Sequence, residues 1–191
     1  MTSSSSSASK QPRQTLTQGH RAYTYVGPAE IKERSQRGPD CLQVRNAELL
    51  LPWLRAFLPR GRTQGEIPVT FIIDPEQELW IADRRSEHVA CADGGEVLAA
   101  GEMIFSVTGM RVEVVEITNQ STGYCPEPES WGMVAAVLDH LRIPRPNCFT
   151  AEFHFRRCDY CQTITLIKDE VFECAVCDSP LPRDWNFATL P

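Results

Sequence analysis

Cys158-x2-Cys161 and Cys174-x2-Cys177 stand 12 residues apart near the C-terminus, and no other residues of the chain make so definite a chemical statement. Four thiolates at this spacing close a tetrahedron around Zn2+ when each pair sits on a tight turn and the stretch between them forms a short hairpin. Asp159-Tyr160 and Ala175-Val176 supply the turns, and Thr163 to Ile167 followed by Val171 to Glu173 supplies the hairpin. This is the zinc-ribbon pattern. Two disulfides would need an oxidising compartment, to which nothing in the sequence points. With sulfur at all four positions no place remains for water, so the metal expected here, one Zn2+ per chain, is a structural staple and not a catalyst.

A second group has the residue types for acid, base or nucleophilic work: Ser86-Glu87-His88 and Cys91 on one side, Ser121, Tyr124 and Cys125 on the other. A histidine near a cysteine activates a thiolate, and a tyrosine orients a substrate or stabilises an oxyanion. His88, Ser121 and Tyr124 are therefore the candidate catalytic residues. The same residues also suit a packing role, with the histidine hydrogen-bonded across a sheet and the cysteines acting as small core side chains. His140 at the end of an expected helix, His154 opposite a phenylalanine stripe and His20 in the N-terminal segment have no partner at a metal-binding spacing. A second zinc site would require Cys41, Cys91, Cys125 and Cys148 to converge. Asp83 with Glu87, and Glu127 with Glu129, are neighbours of a kind that 23% charged residues produce freely. Phosphate-binding glycine loops and the Gly-x-Ser-x-Gly elbow are absent from the sequence.

Ordinary elements must position these residues. Ala22 to Val26 alternates like a strand, Pro28 to Arg34 suits a short helix, and Gly38-Pro39 closes it off. Asn46 is placed to cap a helix through Phe57, with Leu49, Leu50, Trp53, Leu54 and Phe57 on one face and Pro52 kinking it or resetting its start. Val69 to Asp74 and Glu78 to Asp83, joined by Pro75-Glu76-Gln77, predict one antiparallel hairpin. Met103 to Val107 and Arg111 to Thr118, joined around Gly109, predict another. Between them, Gly94-Gly95 and Ala99-Ala100-Gly101 let backbone segments approach closely or take positive φ. Trp131, Val134, Ala135, Leu138 and Leu141 recur at helical spacing, which predicts a helix near Glu129 to Leu141 packed on the sheet. Phe149, Ala151, Phe153 and Phe155 alternate as a strand leading into the ribbon, and Leu181 to Phe187 folds its aromatics over the ribbon or the main sheet.

The expected fold class is α+β, an antiparallel sheet with packed helices and a C-terminal four-cysteine zinc ribbon. Residues 1–19, with a five-serine run, read as a disordered tail, residues 20–148 as the main domain, and residues 149–191 as the ribbon and aromatic tail. The first 29 residues hold no Asp or Glu, a loose match to organellar transit peptides, but the serine stretch offers no amphipathic helix.

The ordered series His88-x5-Gly94-Gly95-x3-Ala99-Ala100-Gly101, followed by Ser121-x2-Tyr124-x-Pro126 and an amphipathic helix, resembles the C-terminal domain of the plant IQ-motif calmodulin-binding proteins. The resemblance covers about residues 69–142. It implies a shared fold over that stretch, with His88, Ser121 and Tyr124 near one another. Two departures limit it: Gly123 stands where that family has a histidine before the tyrosine, and the IQ helix has no counterpart, so calmodulin binding is not implied.

A formal charge of −6 disfavours a dedicated nucleic-acid binder, which needs a dense basic surface. Arg84-Arg85 and Arg156-Arg157 read as solvated strand ends. No run of 18 apolar residues spans a membrane. The leading expectation is a soluble, cytoplasmic zinc protein that acts as a protein-binding or assembly module. An enzyme or effector-like domain centred on His88, Ser121 and Tyr124 is the alternative, and nucleic-acid binding through Arg156, Arg157 and Lys168 of the ribbon is a third reading.

Overall fold

β-Branched and aromatic residues dominate β2 (Gln64–Ile73) and the second half of β4 (Ala99–Thr108), and these two strands pair antiparallel along their whole length, from Gln64 opposite Thr108 to Ile73 opposite Ala99. The protein, known from a computed structural model, is described over residues 21–187; the serine-rich tail, the transit-peptide reading and His20 lie outside the described residues. β3 (Leu79–Asp83) returns beside β2, β1 (Leu42–Val44) adds to β3, and β5 (Arg111–Ile117) adds to β4. The sheet is antiparallel throughout, in the order β1-β3-β2-β4-β5. The class is α+β, as expected.

Turn chemistry fixes the register. Asp74 accepts the Glu78 N–H at 2.8 Å through one carboxylate oxygen and the Trp80 indole N–H at 2.8 Å through the other, clamping the β2–β3 turn. At the β4–β5 turn Gly109 takes φ +59, a conformation open to glycine. The second half of β2 is buried on both faces. Val69, Phe71 and Ile73 point to one side, with Met103 and Phe105 of β4, into a core shared with two helices. Those helices are α2 (Ala47–Ala56) and α4 (Trp131–His140), the latter entered through a short 3-10 turn at Pro128–Ser130. Ile72 points to the other side, towards Val89, Cys91, Val97, Tyr23 and Tyr124. That second layer consists of α3 (His88–Cys91), residues 21–26 and residues 118–127, with α1 (Ala29–Arg34) outside it.

Several local expectations shift. Asn46 caps α2 by accepting the Leu49 N–H at 2.9 Å, as expected, but the buried stripe is Leu50, Leu51 and Leu54, while Leu49 and Phe57 are exposed. Met133 and Val137 join Val134 and Leu138 in the fully buried stripe of α4, with Trp131 and Leu141 partly buried at its ends against the same core. The small residues Ala99-Ala100-Gly101 lie inside β4, not in a loop before it. A Cβ on Gly101 would run into the carbonyl oxygen of Thr118 in the segment that crosses over β4. The strand expected over Phe149–Phe155 is confined to β6 (His154–Arg157). Upstream of it side chains supplement a sparse backbone pairing, the Thr150 N–H bond to Ile117 O and the Thr118–Ala151 bridge: Thr150 Oγ1 accepts from Ile117 N and donates to Ile117 O, and the Asn119 carboxamide bonds both N–H and C=O of Phe153.

Candidate metal centre

The four ribbon cysteines converge. Their sulfurs all lie within 4.8 Å of one another, with Cys158 to Cys177 at 3.6 Å and Cys161 to Cys174 at 3.5 Å. A tetrahedron with metal–sulfur bonds of about 2.3 Å has sulfur–sulfur edges of about 3.8 Å, so the donor set fits a metal ion closely.

Two turns of the same construction hold the sulfurs. Cys158 N–H donates to Thr163 O at 2.9 Å and Cys174 N–H to Ser179 O at 2.8 Å, each five residues on. In return, Gln162 N–H donates to Cys158 O and Asp178 N–H to Cys174 O. Gln162 (φ 63) and Asp178 (φ 56) follow the second cysteine of each pair in the left-handed conformation. Backbone N–H groups also reach the sulfurs, from Cys161 to Cys158 Sγ and from Val176 to Cys174 Sγ, both at 3.5 Å. The Val176 N–H is the main influence that holds the Cys174 thiol down at about 6, against the opposing effect of burial. The Cys161 N–H acts the same way on Cys158, but there burial and the neighbouring thiols outweigh it and leave that thiol at about 11, so at their first cysteines the second turn is the one that favours thiolate, the form that binds metal.

The expected hairpin is redrawn. β7 (Ile164–Ile167) pairs with β6, so the first cysteine turn is itself the hairpin connection, and Val171–Glu173 contributes only the bridge from Val171 to Lys168 and the backbone around the second turn.

A polar seam joins the ribbon to the sheet domain. Arg156 is 4% exposed and directs its guanidinium at Glu127, Nη1 to Oε1 at 2.8 Å and Nη2 to Oε2 at 3.2 Å. Nε and Nη2 also donate to Arg183 O, and Nη1 to Phe155 O. The reading of Arg156 as a solvated strand end is thus corrected: β6 is sandwiched between Glu127 and the 183–187 segment, and this guanidinium is almost wholly covered by protein. Arg157 remains half-buried, its guanidinium 5.4 Å over Phe187. Asn186 pairs with the backbone N–H and C=O of Arg157, and Trp185 Nε1 donates to Cys125 O at 2.8 Å. The aromatic segment therefore covers both ribbon and sheet domain. A pairing of Glu127 with Arg156 was invisible as sequence, because Glu127 stood beside Glu129 in a proline-rich turn and Arg156 beside another arginine.

His88, Ser121 and Tyr124 all sit in the second layer, each turned into the packing. His88 Nε2 lies 3.0 Å from Gly101 O, its side chain keeps 14% of its exposure, and burial pulls its pKa down to about 4. Glu102 approaches to 4.0 Å, with its own carboxyl raised by burial. Tyr124 is fully buried and donates to Gly95 O at 2.7 Å; burial raises it out of the range of an acid or base at neutral pH. Ser121 Oγ is buried and has no hydrogen-bond partner among the described residues. Gly123 lies under Tyr25, whose ring a Cβ would approach to 2.7 Å, and Tyr25 packs edge-on against Tyr124. Cys125 is buried and pushed up to about 12 by desolvation. His140 and His154 are exposed. Cys41 and Cys91 meet at 2.9 Å, but among the described residues the ribbon is the one metal-capable cluster, so these two form no second site with Cys125 and Cys148.

Comparison with protein families, with curated proteins and with solved structures finds no significant match. What can be said of the class comes from the site alone: an α+β protein with a four-cysteine cluster able to hold a metal ion. Among the described residues no helix is long and apolar enough to cross a membrane.

Proposed function

We propose that the protein binds one structural Zn2+ in its ribbon and uses the ribbon's outer end to dock a protein partner, acting as an assembly module. Zinc is the metal that four thiolates in a closed tetrahedron suit best, iron being the other candidate for an all-sulfur set. The observation that carries the docking reading is the placement of apolar side chains on the metal turns. Tyr160 is 82% exposed and Val176 66% exposed, and each is the residue just before the second cysteine of its pair. With Val171 they are three of the seven large apolar side chains exposed among the described residues. Metal-braced turns present such groups rigidly, which lowers the entropy lost on association.

Native mass spectrometry under reducing conditions tests the metal, with one zinc per chain expected; iron, or no metal, refutes the assignment. For docking, the zinc-loaded chain and its Tyr160→Glu/Val176→Glu variant are compared as baits in native lysate. The expected result is a stoichiometric protein retained by the wild type and lost by the variant with zinc still bound. A wild-type chain that stays a lone monomer overturns the docking reading.

A second reading, an enzyme or effector-like site at His88, Ser121 and Tyr124, draws on the buried, unpartnered hydroxyl of Ser121 and on the resemblance to the plant IQ-motif module. A folded His88→Ala protein that loses its cellular effect supports it; unfolding of that variant supports the packing role. Nucleic-acid binding through the ribbon is weaker, since Arg156 is committed to Glu127. No binding to mixed oligonucleotides at low ionic strength is the expected outcome. A reducing compartment such as the cytoplasm suits four thiolate ligands.

A further inference from the structure

Cys41 lies on the segment between α1 and β1, and Cys91 ends α3, 50 residues further along the chain. Their sulfurs are 2.9 Å apart, closer than two unbonded sulfurs ordinarily pack and within reach of a covalent bond. The two differ in surroundings. Both line a cavity of about 510 Å3, a volume in the range of small-molecule sites of roughly 300–1,000 Å3, but Cys91 is buried in the second-layer core whereas Cys41 is half-buried and the more accessible of the two. Arg37 stands over the pair: its Nε donates to Cys91 O at 2.9 Å, and its guanidinium is fixed 3.6 Å over the Trp80 ring. A fixed cation beside a thiol at the edge of a cavity is the setting of a nucleophilic cysteine.

We propose that Cys41 and Cys91 form a redox-active dithiol in which Cys41 attacks low-molecular-weight aliphatic disulfides entering the cavity and Cys91 resolves the product. Two influences lower the Cys41 thiol against the effect of burial: first the hydrogen bond from Cys91, then the charge of Arg37. The same hydrogen bond, burial and the Cys41 charge raise Cys91, so the resolving thiol keeps its proton until it is needed. In the first step the Cys41 thiol gives its proton to water and the thiolate bonds to one sulfur of the substrate as its S–S bond breaks; the departing thiolate takes the proton of Cys91. The Cys91 thiolate then bonds to Cys41 Sγ and expels the second thiolate, which takes a proton from water. The protein loses two electrons and two protons, and one disulfide becomes two thiols. The new bond ties the α1–β1 segment to α3.

Cystamine is a fitting probe, because the cavity wall carries Glu30, Asp40 and Glu87 against the single guanidinium of Arg34. The zinc-loaded full chain is incubated with cystamine, quenched, alkylated and mapped by peptide mass. The expected product joins the Cys41 and Cys91 peptides with a mass about 2 Da below the dithiol, while Cys148, an exposed thiol with no such neighbour, ends as a mixed disulfide. In Cys91→Ser, Cys41 should accumulate as the mixed disulfide, because nothing resolves it. A wild-type chain in which Cys41 and Cys91 are both alkylated after Cys148 has reacted overturns the proposal, and this arm needs no variant to fold. So does a folded Cys91→Ser chain that leaves Cys41 unmodified.

Discussion

Replacing Glu127 by Ala should loosen the seam between ribbon and sheet more than any surface change. Arg156 would keep its carbonyl acceptors, Arg183 O and Phe155 O, but lose the only anion shown against it, both oxygens of which it engages at 2.8 and 3.2 Å. Arg156 is 4% and Glu127 9% exposed, so the guanidinium left behind would be largely shielded from bulk water. Removing one member of such a buried pair costs about 3–5 kcal/mol, chiefly from the charge left behind. Against a total stability of about 5–15 kcal/mol this is a large fraction. At about 2–4 °C per kcal/mol for a chain of this size it lowers Tm by roughly 6–20 °C. Differential scanning calorimetry of zinc-loaded protein measures the shift, with Glu127→Ala/Arg156→Met made alongside. The double variant should recover much of the loss, because an apolar pair removes the stranded charge. A Tm drop under about 2 °C for Glu127→Ala, or a double variant worse than the sum of its singles, would refute the seam as an energetic feature.

Three further outcomes follow from the geometry. Cys174→Ser removes one of four sulfur donors and should release the metal and open residues 156–191 to protease; stoichiometric zinc retained in that variant contradicts the ligand assignment. Gly101→Ala places a methyl group against the Thr118 carbonyl, a backbone atom that cannot rotate away, and should cost at least about 1–3 kcal/mol in urea denaturation, where an unchanged midpoint would count against it. His88 has a folded-state pKa of about 4, below its ordinary 6.5, so the folded state binds fewer protons than the unfolded chain; its contribution is fully present above pH 6.5 and is lost as pH falls towards 4. That limb is worth about 3 kcal/mol at most, and the pH profile of Tm should flatten between those values in His88→Gln.

The parts of this molecule that could be read in its sequence are those whose physics is local. The cysteine pairs announce their own geometry because each turn needs only a few successive residues, and both turns form as the spacing requires. The β2–β3 turn falls at Pro75–Gln77, where turn residues interrupt two β-rich runs. The Asn46 cap acts across three residues and is found at its expected place. Where the reading slipped, the deciding partner was remote. Leu51 is buried in place of Leu49 because the sheet, and not helical periodicity, chooses which flank of an almost all-leucine stretch faces inward. The strand before the ribbon is cut short because Asn119, 34 residues earlier, satisfies Phe153 with its side chain. Cys41 looks like an isolated cysteine and Cys91 reads with His88, until a turn at Gly38 and the four-residue α3 bring the two together. The polar groups of His88 and Tyr124, read in the sequence as candidates for chemistry, meet backbone carbonyls instead: His88 at Gly101, Tyr124 at Gly95.

The seam also sets a timetable for synthesis. Glu127 and Arg156 are 29 residues apart, and Cys125 waits 60 residues for the indole of Trp185. At roughly 5–20 residues per second, the carboxylate stays unpaired for roughly 1.5–6 s after it is made and the underside of the second layer stays open for roughly 3–12 s. The hairpins of the sheet can form in that interval, but an apolar floor around Cys125, Phe155 and Phe187 closes only when the last of these residues has been translated. A chain in which α4 and β6 have emerged but Trp185 and Phe187 have not would thus present a sheet covered on its main face with the underside still open, a state suited to chaperone capture.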